Sequence, residues 1–315
     1  MLEMILRRLG YGALVLFLMI VFIFVIMRMV PGSAVELQLA EAGAVTEEQI
    51  AEKKAELGLD KPVWGQLADW LGGAVQGDLG TSLWSSRTVT SIVAERIPVT
   101  MELSLVSIAM AIMIGVPVGV LSAIKRNTWV DNVLRVGSIV GLSIPNFWMG
   151  LLFITFFSLV LGWVPPLGYS SLWDDPVRNI QQIILPAIAL ALSVSASISR
   201  MTRSSLLEVL HADFIRTVRA KGASERVVVY KHALRNSLIA VVTLIGLQIG
   251  ALLGGTVILE SIYSLPGMGS LVSQSVNQRD YPVVQAAVLF YGGVFILVNI
   301  FVDVAYGWID PRIRK

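Results

Sequence analysis

Side chains able to attack a carbonyl, relay a proton or hold a metal ion are scarce in this 315-residue chain. There is no cysteine, which excludes disulfides and thiolate metal sites together. The two histidines, His211 and His232, share one polar stretch and lie far in sequence from any serine in an apolar run. That separation disfavours a Ser/His hydrolase working inside a membrane. Asp174-Asp175 is a lone acidic pair, without the second cluster that a magnesium-dependent lipid transferase needs. No G-x-x-x-x-G-K-[ST] phosphate loop is present to hold a nucleotide. What remains is positive charge without a catalytic partner. Eight basic residues, Arg200, Arg203, Arg216, Arg219, Lys221, Arg226, Lys231 and Arg235, are opposed only by Glu208, Asp213 and Glu225.

The elements that must position this charge follow from apolar spacing. Leu206, Leu207, Leu210, Phe214, Ile215 and Val218 recur at helical intervals, and so do Val227, Val228, Tyr230 and Leu234. Two short amphipathic helices joined at Lys221-Gly222-Ala223 are therefore predicted, flanked on both sides by membrane spans. Gly222 suits the left-handed position that ends a helix, Lys221 falls in the last turn, and Ser224 suits the next N-cap. The result is a rigid cationic hairpin, suited to taking force from a soluble partner. The simpler reading of such a loop is topology alone, since Lys and Arg accumulate on the cytoplasmic side of any membrane protein.

Arg216-Thr217-Val218-Arg219-Ala220-Lys221-Gly222, followed by His232-Ala233-Leu234-Arg235-Asn236, resembles the coupling loop of ABC importer permeases, most closely those of the dipeptide/oligopeptide/nickel class. The resemblance implies that Asp213, Arg216, Thr217, Ala220, Lys221, Gly222 and Ala223 dock into a cleft on the ATP-hydrolysing subunit. Arg216-Thr217-Val218 stands where many relatives carry Glu-Ala-Ala, and Ala240 where peptide permeases often carry Pro. The wider family's Glu–Arg salt bridge to the ATPase is therefore not carried over. Further matches run along the chain: Leu57-Gly58-Leu59-Asp60-Lys61-Pro62, Gly77-Asp78-Leu79-Gly80-Thr81-Ser82, Arg96-Ile97-Pro98-Val99-Thr100, Pro266-Gly267-Met268-Gly269, Arg279-Asp280-Tyr281-Pro282 and Asp310-Pro311-Arg312.

Composition agrees with a membrane class. Hydrophobic residues make up 55% and charged residues 15%, with a mean hydropathy of +0.75. A soluble domain would carry roughly a quarter charged residues. Leu9–Met29 is long enough to cross a bilayer, which takes about 20 residues, and exceeds the apolar core of a cleaved signal peptide. Pro31-Gly32 then ends it. Residues 31–98 hold ten acidic and five basic residues. There Thr46 and Gln49 predict a capping box for a helix reaching about Leu57, and a second helix is expected over Val63–Val75. Trp64, Trp70 and Trp84 read as interfacial anchors. Five more spans are expected near Val99–Ile124, Val133–Leu161, Ile183–Ser199, Ser237–Leu259 and Val283–Tyr306. Ser143-Ile144-Pro145-Asn146 should kink the second of these, because proline removes a helix hydrogen bond.

The expected architecture is an all-α polytopic membrane protein with six transmembrane helices, of the type I ABC importer permease kind. It comprises an N-terminal span (1–30), an extracytoplasmic loop region (31–98) and a five-span core (99–315) with the coupling hairpin at 203–236. With both termini in the cytoplasm of a bacterial inner membrane, 16 of the 24 Lys and Arg fall inside. Gly246, Gly250 and Gly254 form a small-residue ridge for helix packing, with Gly115/Gly119 and Gly137/Gly141 as shorter versions. Gln248, Ser143 and Asn146 are candidates for the translocation path, while Arg28 and Glu102 read as snorkelling residues and Asp303 as an inner-end ion pair. The resemblance implies a second homologous permease subunit, two cytoplasmic ATP-binding subunits and an extracytoplasmic substrate-binding protein as partners, with no cofactor on this chain and ATP and magnesium on the ATPases. Nothing suggests nucleic acid. Di- or oligopeptides are the expected cargo; nickel, glutathione-like or other small solutes stay open, and a secondary carrier or a membrane enzyme are the rival classes.

Overall fold

In the computed structural model the described residues are 2–29, 35–36, 46–56 and 59–309, without the side chains of 2–5, 53, 56, 303 and 305–309. The turn at Pro31-Gly32, the helix stop at Leu57-Gly58, the Asp303 ion pair and the Asp310-Pro311-Arg312 tail lie outside them. The described residues are almost wholly helical: α1 (Leu2–Met29), α2 (Glu47–Glu56), α3 (Val63–Val75), α4 (Val89–Ile124), α5 (Trp129–Ser143), α6 (Asn146–Leu161), α7 (Pro176–Leu210), α8 (Asp213–Ala220), α9 (Glu225–Ile262), α10 (Met268–Gln278) and α11 (Tyr281–Ile309). Among the described residues five helices are long and apolar enough to cross a membrane, and α5 with α6, bent by 100° at the break between them, makes a sixth where the pair counts as one span. The bend is far sharper than a proline kink. Pro145 starts α6, Ile144 is extended, and Ser143 Oγ donates back to the Ile139 carbonyl at 2.9 Å.

The chain divides into two compact units. The first comprises residues 1–100 and 266–296. Its expected capping box is present: Gln49 N donates to Thr46 Oγ1 (3.4 Å) and Thr46 N to Gln49 Oε1 (3.1 Å). Gly77 and Gly80 take left-handed conformations in the Gly77–Ser82 turn, and Ser82 Oγ donates to the buried carboxylate of Asp280 at 2.5 Å. Arg28 does not snorkel. Its guanidinium lies 3.5 Å from the Phe24 ring centroid and donates to Gln66 Oε1 at 2.7 Å. Trp64 is exposed as an anchor would be, whereas Trp70 packs against Ile20, Phe24 and Leu67.

The second unit, residues 101–265 and 297–315, is built around α7, which packs on α5, α6 and α9. Its small residues permit this: Ala187, Ala189, Ala191, Ala196, Ser195 and Ser199 are buried. Asp175 caps α7, accepting from Arg178 N at 3.0 Å, and Pro176 fills the first turn where its missing N–H costs nothing. The close approach to α4 falls at Gly115 and Gly119, where an added methyl would sit 2.7 Å from Ser195 O and 2.5 Å from Ser199 O. Buried Asn179 and Gln182 hold the loop before α7 by bonds to the backbone of Ser170 and Leu167. Glu102 accepts from Tyr169 Oη at 2.5 Å instead of reaching for water.

The expected spans all start earlier than the apolar runs alone predict; the first three end at Met29, Ile124 and Leu161 as expected, and the last three run on past their predicted ends. Val89–Ile124 runs through Pro98 and Pro117, which tertiary packing accommodates as it does elsewhere in membrane helices. At 36 residues it is about 54 Å long, well beyond a hydrocarbon core of about 30 Å, so part of it extends past the lipid.

Candidate functional site: the hairpin and the cavity beside it

The predicted hairpin is present, with a different division of labour between its arms. Leu206, Leu207 and Leu210 belong to the end of α7, and the chain breaks at His211-Ala212 before the eight-residue α8. The second arm is not a separate helix. Glu225 begins α9, which continues through a π-helical turn, Val228–Ala233, directly into the fifth apolar span. Ser224 takes the N-cap position with extended backbone, but its side chain makes no capping bond. Gly222 has φ +80°, as the tip requires, and open space around it. Arg219 bridges the tip to Glu225, with its Nε 2.7 Å from Oε1, and that carboxylate holds the guanidinium pKa above its usual value.

Of the residues expected at an ATPase contact, Asp213, Arg216, Thr217, Ala220, Lys221 and Gly222 are exposed and Ala223 is half-buried. Asp213 pairs loosely with Arg216 at 3.4 Å. Ile215, on the opposite side of α8, is fully buried. It enters an apolar cluster with Val120 and Ala123 of α4, Leu206 of α7 and Val228 and Ala233 of α9. One exposed face is thereby fastened to three long helices.

A polar clasp not anticipated from the sequence lies beside that cluster. Asp131, fully buried in the first turn of α5, accepts two bonds from Arg203 of α7 (Nε to Oδ1, 2.9 Å; Nη2 to Oδ2, 2.8 Å). It also accepts from Ser122 Oγ at 2.6 Å and Asn127 N at 3.1 Å. Every lone pair of the carboxylate that a buried site must satisfy has a donor. The usable signal was that Asp131 is the only acid between Glu102 and Asp174.

Next to the clasp is a cavity of about 790 Å³, bounded by α4, α5, α7 and α9 and lined in part by Arg135, Arg200 and Arg203. Gln248, Ser143 and Asn146 do not line it. Gln248 is half-buried on α9, Ser143 is exposed at the bend, and Asn146 opens α6 beside Gly255. Of the glycine ridge, Gly246 meets Val302, Gly250 is half-buried, and Gly254 faces open space. Sequence reasoning did not find Gly150, which lies beneath Leu259 and Tyr263 and whose carbonyl accepts from Tyr263 Oη at 2.9 Å.

Residues 115–315, including the hairpin, the clasp and the cavity's other walls, match the binding-protein-dependent transport system inner membrane component, and residues 1–104 match the N-terminal region of such membrane components. The chain belongs to this family. Inner membrane components of it that are similar over their full length include a putative peptide transport system permease of Brucella abortus, 40% identical over 100% of this chain and 99% of that one. The dipeptide transport system permease of Alkalihalophilus pseudofirmus is 40% identical, with both chains covered completely. The glutathione transport system permease of Escherichia coli K12 is 41% identical over 100% of this chain and 99% of its own. Among solved structures, the inward-facing MetNI methionine ABC transporter aligns with a TM-score of 0.57 at 20% identity, covering 70% of this chain and 96% of that one. An amino acid ABC transporter crystallised with histidines aligns at 0.53. The fold is that of an ABC importer permease, and this family member is a multi-pass inner membrane protein.

Proposed function

We propose that this chain is one permease subunit of an ATP-driven importer of short peptides, and that α8 with the Lys221-Gly222-Ala223 tip is its coupling element. The observation that carries the reading is the mounting of α8. Its outer face is exposed and cationic, while Ile215 joins it to α4, α7 and α9 in one apolar cluster. Movement applied to that face is delivered to three spans at once. The full-length similarity to permeases named for peptide, dipeptide and glutathione transport supports a peptide cargo.

The chain is oriented with both termini and the hairpin in the cytoplasm, where Lys and Arg accumulate. Two ATP-binding subunits hold ATP and magnesium, a second permease completes the pathway, and a binding protein delivers cargo from outside. The single subunit hydrolyses no ATP.

Proteoliposomes test this. The assembled complex should take up labelled di- or tripeptide only with ATP, the binding protein and both permeases present. Uptake by the lone chain under an ion gradient would contradict the reading and favour a secondary carrier. Glutathione, itself a tripeptide, belongs in the same competition series, given the relative named for it.

A further inference from the structure

The cavity beside the clasp carries unbalanced charge. Arg203 is neutralised there by Asp131. Among the described residues, Arg135 of α5 and Arg200 of α7 have no ion-pair partner and no acidic side chain lines the cavity. Two guanidinium groups on different helices thus face one space without a counter-charge. Topology alone would ask only for cations near the membrane surface, not for two of them converging on a common cavity. Ionisable groups on membrane helices usually face a water-filled path or a partner.

The other lining groups narrow the occupant. The hydroxyl hydrogens of Ser122, Ser138 and Ser197 are committed to Asp131 Oδ1 (2.6 Å), Leu134 O (2.9 Å) and Ser193 O (3.3 Å). Their oxygens remain as acceptors. The walls therefore offer guanidinium donors for an anion and hydroxyl acceptors for N–H groups. A short peptide presents both, a terminal carboxylate and amide N–H donors. The phosphodiester of an anionic lipid brings the charge without the run of amides. A volume of about 790 Å³ lies within the usual range of small-ligand sites, about 300–1,000 Å³.

We propose that Arg135 and Arg200 receive the C-terminal carboxylate of a short peptide in this cavity, a step that rests on the peptide-importer reading. Guanidinium groups hold carboxylates with paired, charge-assisted hydrogen bonds.

The test is equilibrium binding of labelled trialanine and trialanine amide to the assembled complex without its binding protein, in phosphatidylcholine nanodiscs. The wild type should prefer the free acid by about tenfold or more, the effect of a charge-assisted contact. Arg135→Gln/Arg200→Gln should bind acid and amide alike, while Arg135→Lys/Arg200→Lys keeps a preference. Should the double Gln variant fail to assemble, each single Gln variant should show a reduced preference. Equal binding of acid and amide by the wild type, or a preference that survives loss of both arginines, overturns the proposal. So does displacement of trialanine by phosphatidylglycerol that itself depends on the two arginines, which would identify a lipid-headgroup site. Uptake of trialanine with the binding protein, measured on the same preparation, separates the two readings. Uptake without acid preference removes only this site; acid preference without uptake counts against the import reading and leaves the anion site standing.

Discussion

Asp131 and Arg203 show how much a single pair can carry. Removing one member of a buried, fully bonded pair costs about 3–5 kcal/mol, an upper limit here because Arg203 is partly exposed to the cavity, whereas replacing both with apolar residues is often close to neutral. Asp131→Ala should therefore lower the thermal unfolding midpoint of the detergent-purified complex sharply, and Asp131→Leu/Arg203→Met should recover most of the loss. A double variant as unstable as the single would mean that the clasp does more than balance charge. Asp280 gives a pH signature. Burial pushes its carboxyl above the ordinary carboxylate range, although bonds from Ser82 and Leu83 pull the other way. The folded protein then holds that proton more tightly than the unfolded chain, so stability should fall as pH rises from about 4 through the folded value and level off above it. Unfolding midpoints measured against pH should show this decline as the difference between wild type and Asp280→Asn; a constant difference would remove the carboxyl from the balance. Neither residue was singled out in advance as an ion-pair or titration site, because each acts through a partner far away in sequence, Arg203 for Asp131 and Ser82 for Asp280. Gly222 was legible because only one residue type takes a positive φ without strain.

Helices were legible where local signals agreed. Val63–Val75 follows from Pro62 and its apolar run, and Glu47–Glu56 from its capping box. The 100° bend between α5 and α6 was not, since proline states that hydrogen bonds are lost but not how far the chain turns. The angle depends on distant contacts such as Tyr263 Oη on the Gly150 carbonyl. The merging of the second hairpin arm into α9 was hidden for a similar reason: Gly222 marks a turn, while continuity through Val228–Ala233 is a matter of packing. Small-residue spacing likewise marks a face without saying what meets it. The short Gly115/Gly119 pair takes the tight crossing on α7, while a methyl added at Gly254, at the end of the longer ridge, would meet nothing within 4 Å. Gly119→Ala should accordingly destabilise the chain by about 1–3 kcal/mol through overpacking. Gly254→Ala should stay within about 0.5 kcal/mol. Thermal unfolding of the two variants side by side checks this, and equal effects would contradict the packing described.

At the scale of the whole molecule, membrane class and family were readable from composition and ordered motifs, whereas orientation rests on charge asymmetry. The chain has no cysteine, so single cysteines report without background. Trp173→Cys and Gln274→Cys should react with an impermeant maleimide on intact cells, and Arg126→Cys and Ser224→Cys only after permeabilisation. Ready labelling of Ser224→Cys from outside would invert the topology and remove the hairpin from the ATPase side. Transmission of force through α8 is tested most directly at its tip. Gly222 has φ +80° and a Cβ added there would meet nothing within 4 Å, so Gly222→Val acts by backbone strain, about 1–2 kcal/mol, and by holding an approaching surface away. The spans insert on their own apolar runs, so membrane abundance should stay normal. Uptake of labelled peptide by proteoliposomes containing the complete complex with Gly222→Val is the decisive measurement. Loss of ATP-driven uptake at normal abundance is the result expected; wild-type uptake at normal abundance would show that the hairpin does not couple ATP hydrolysis to transport.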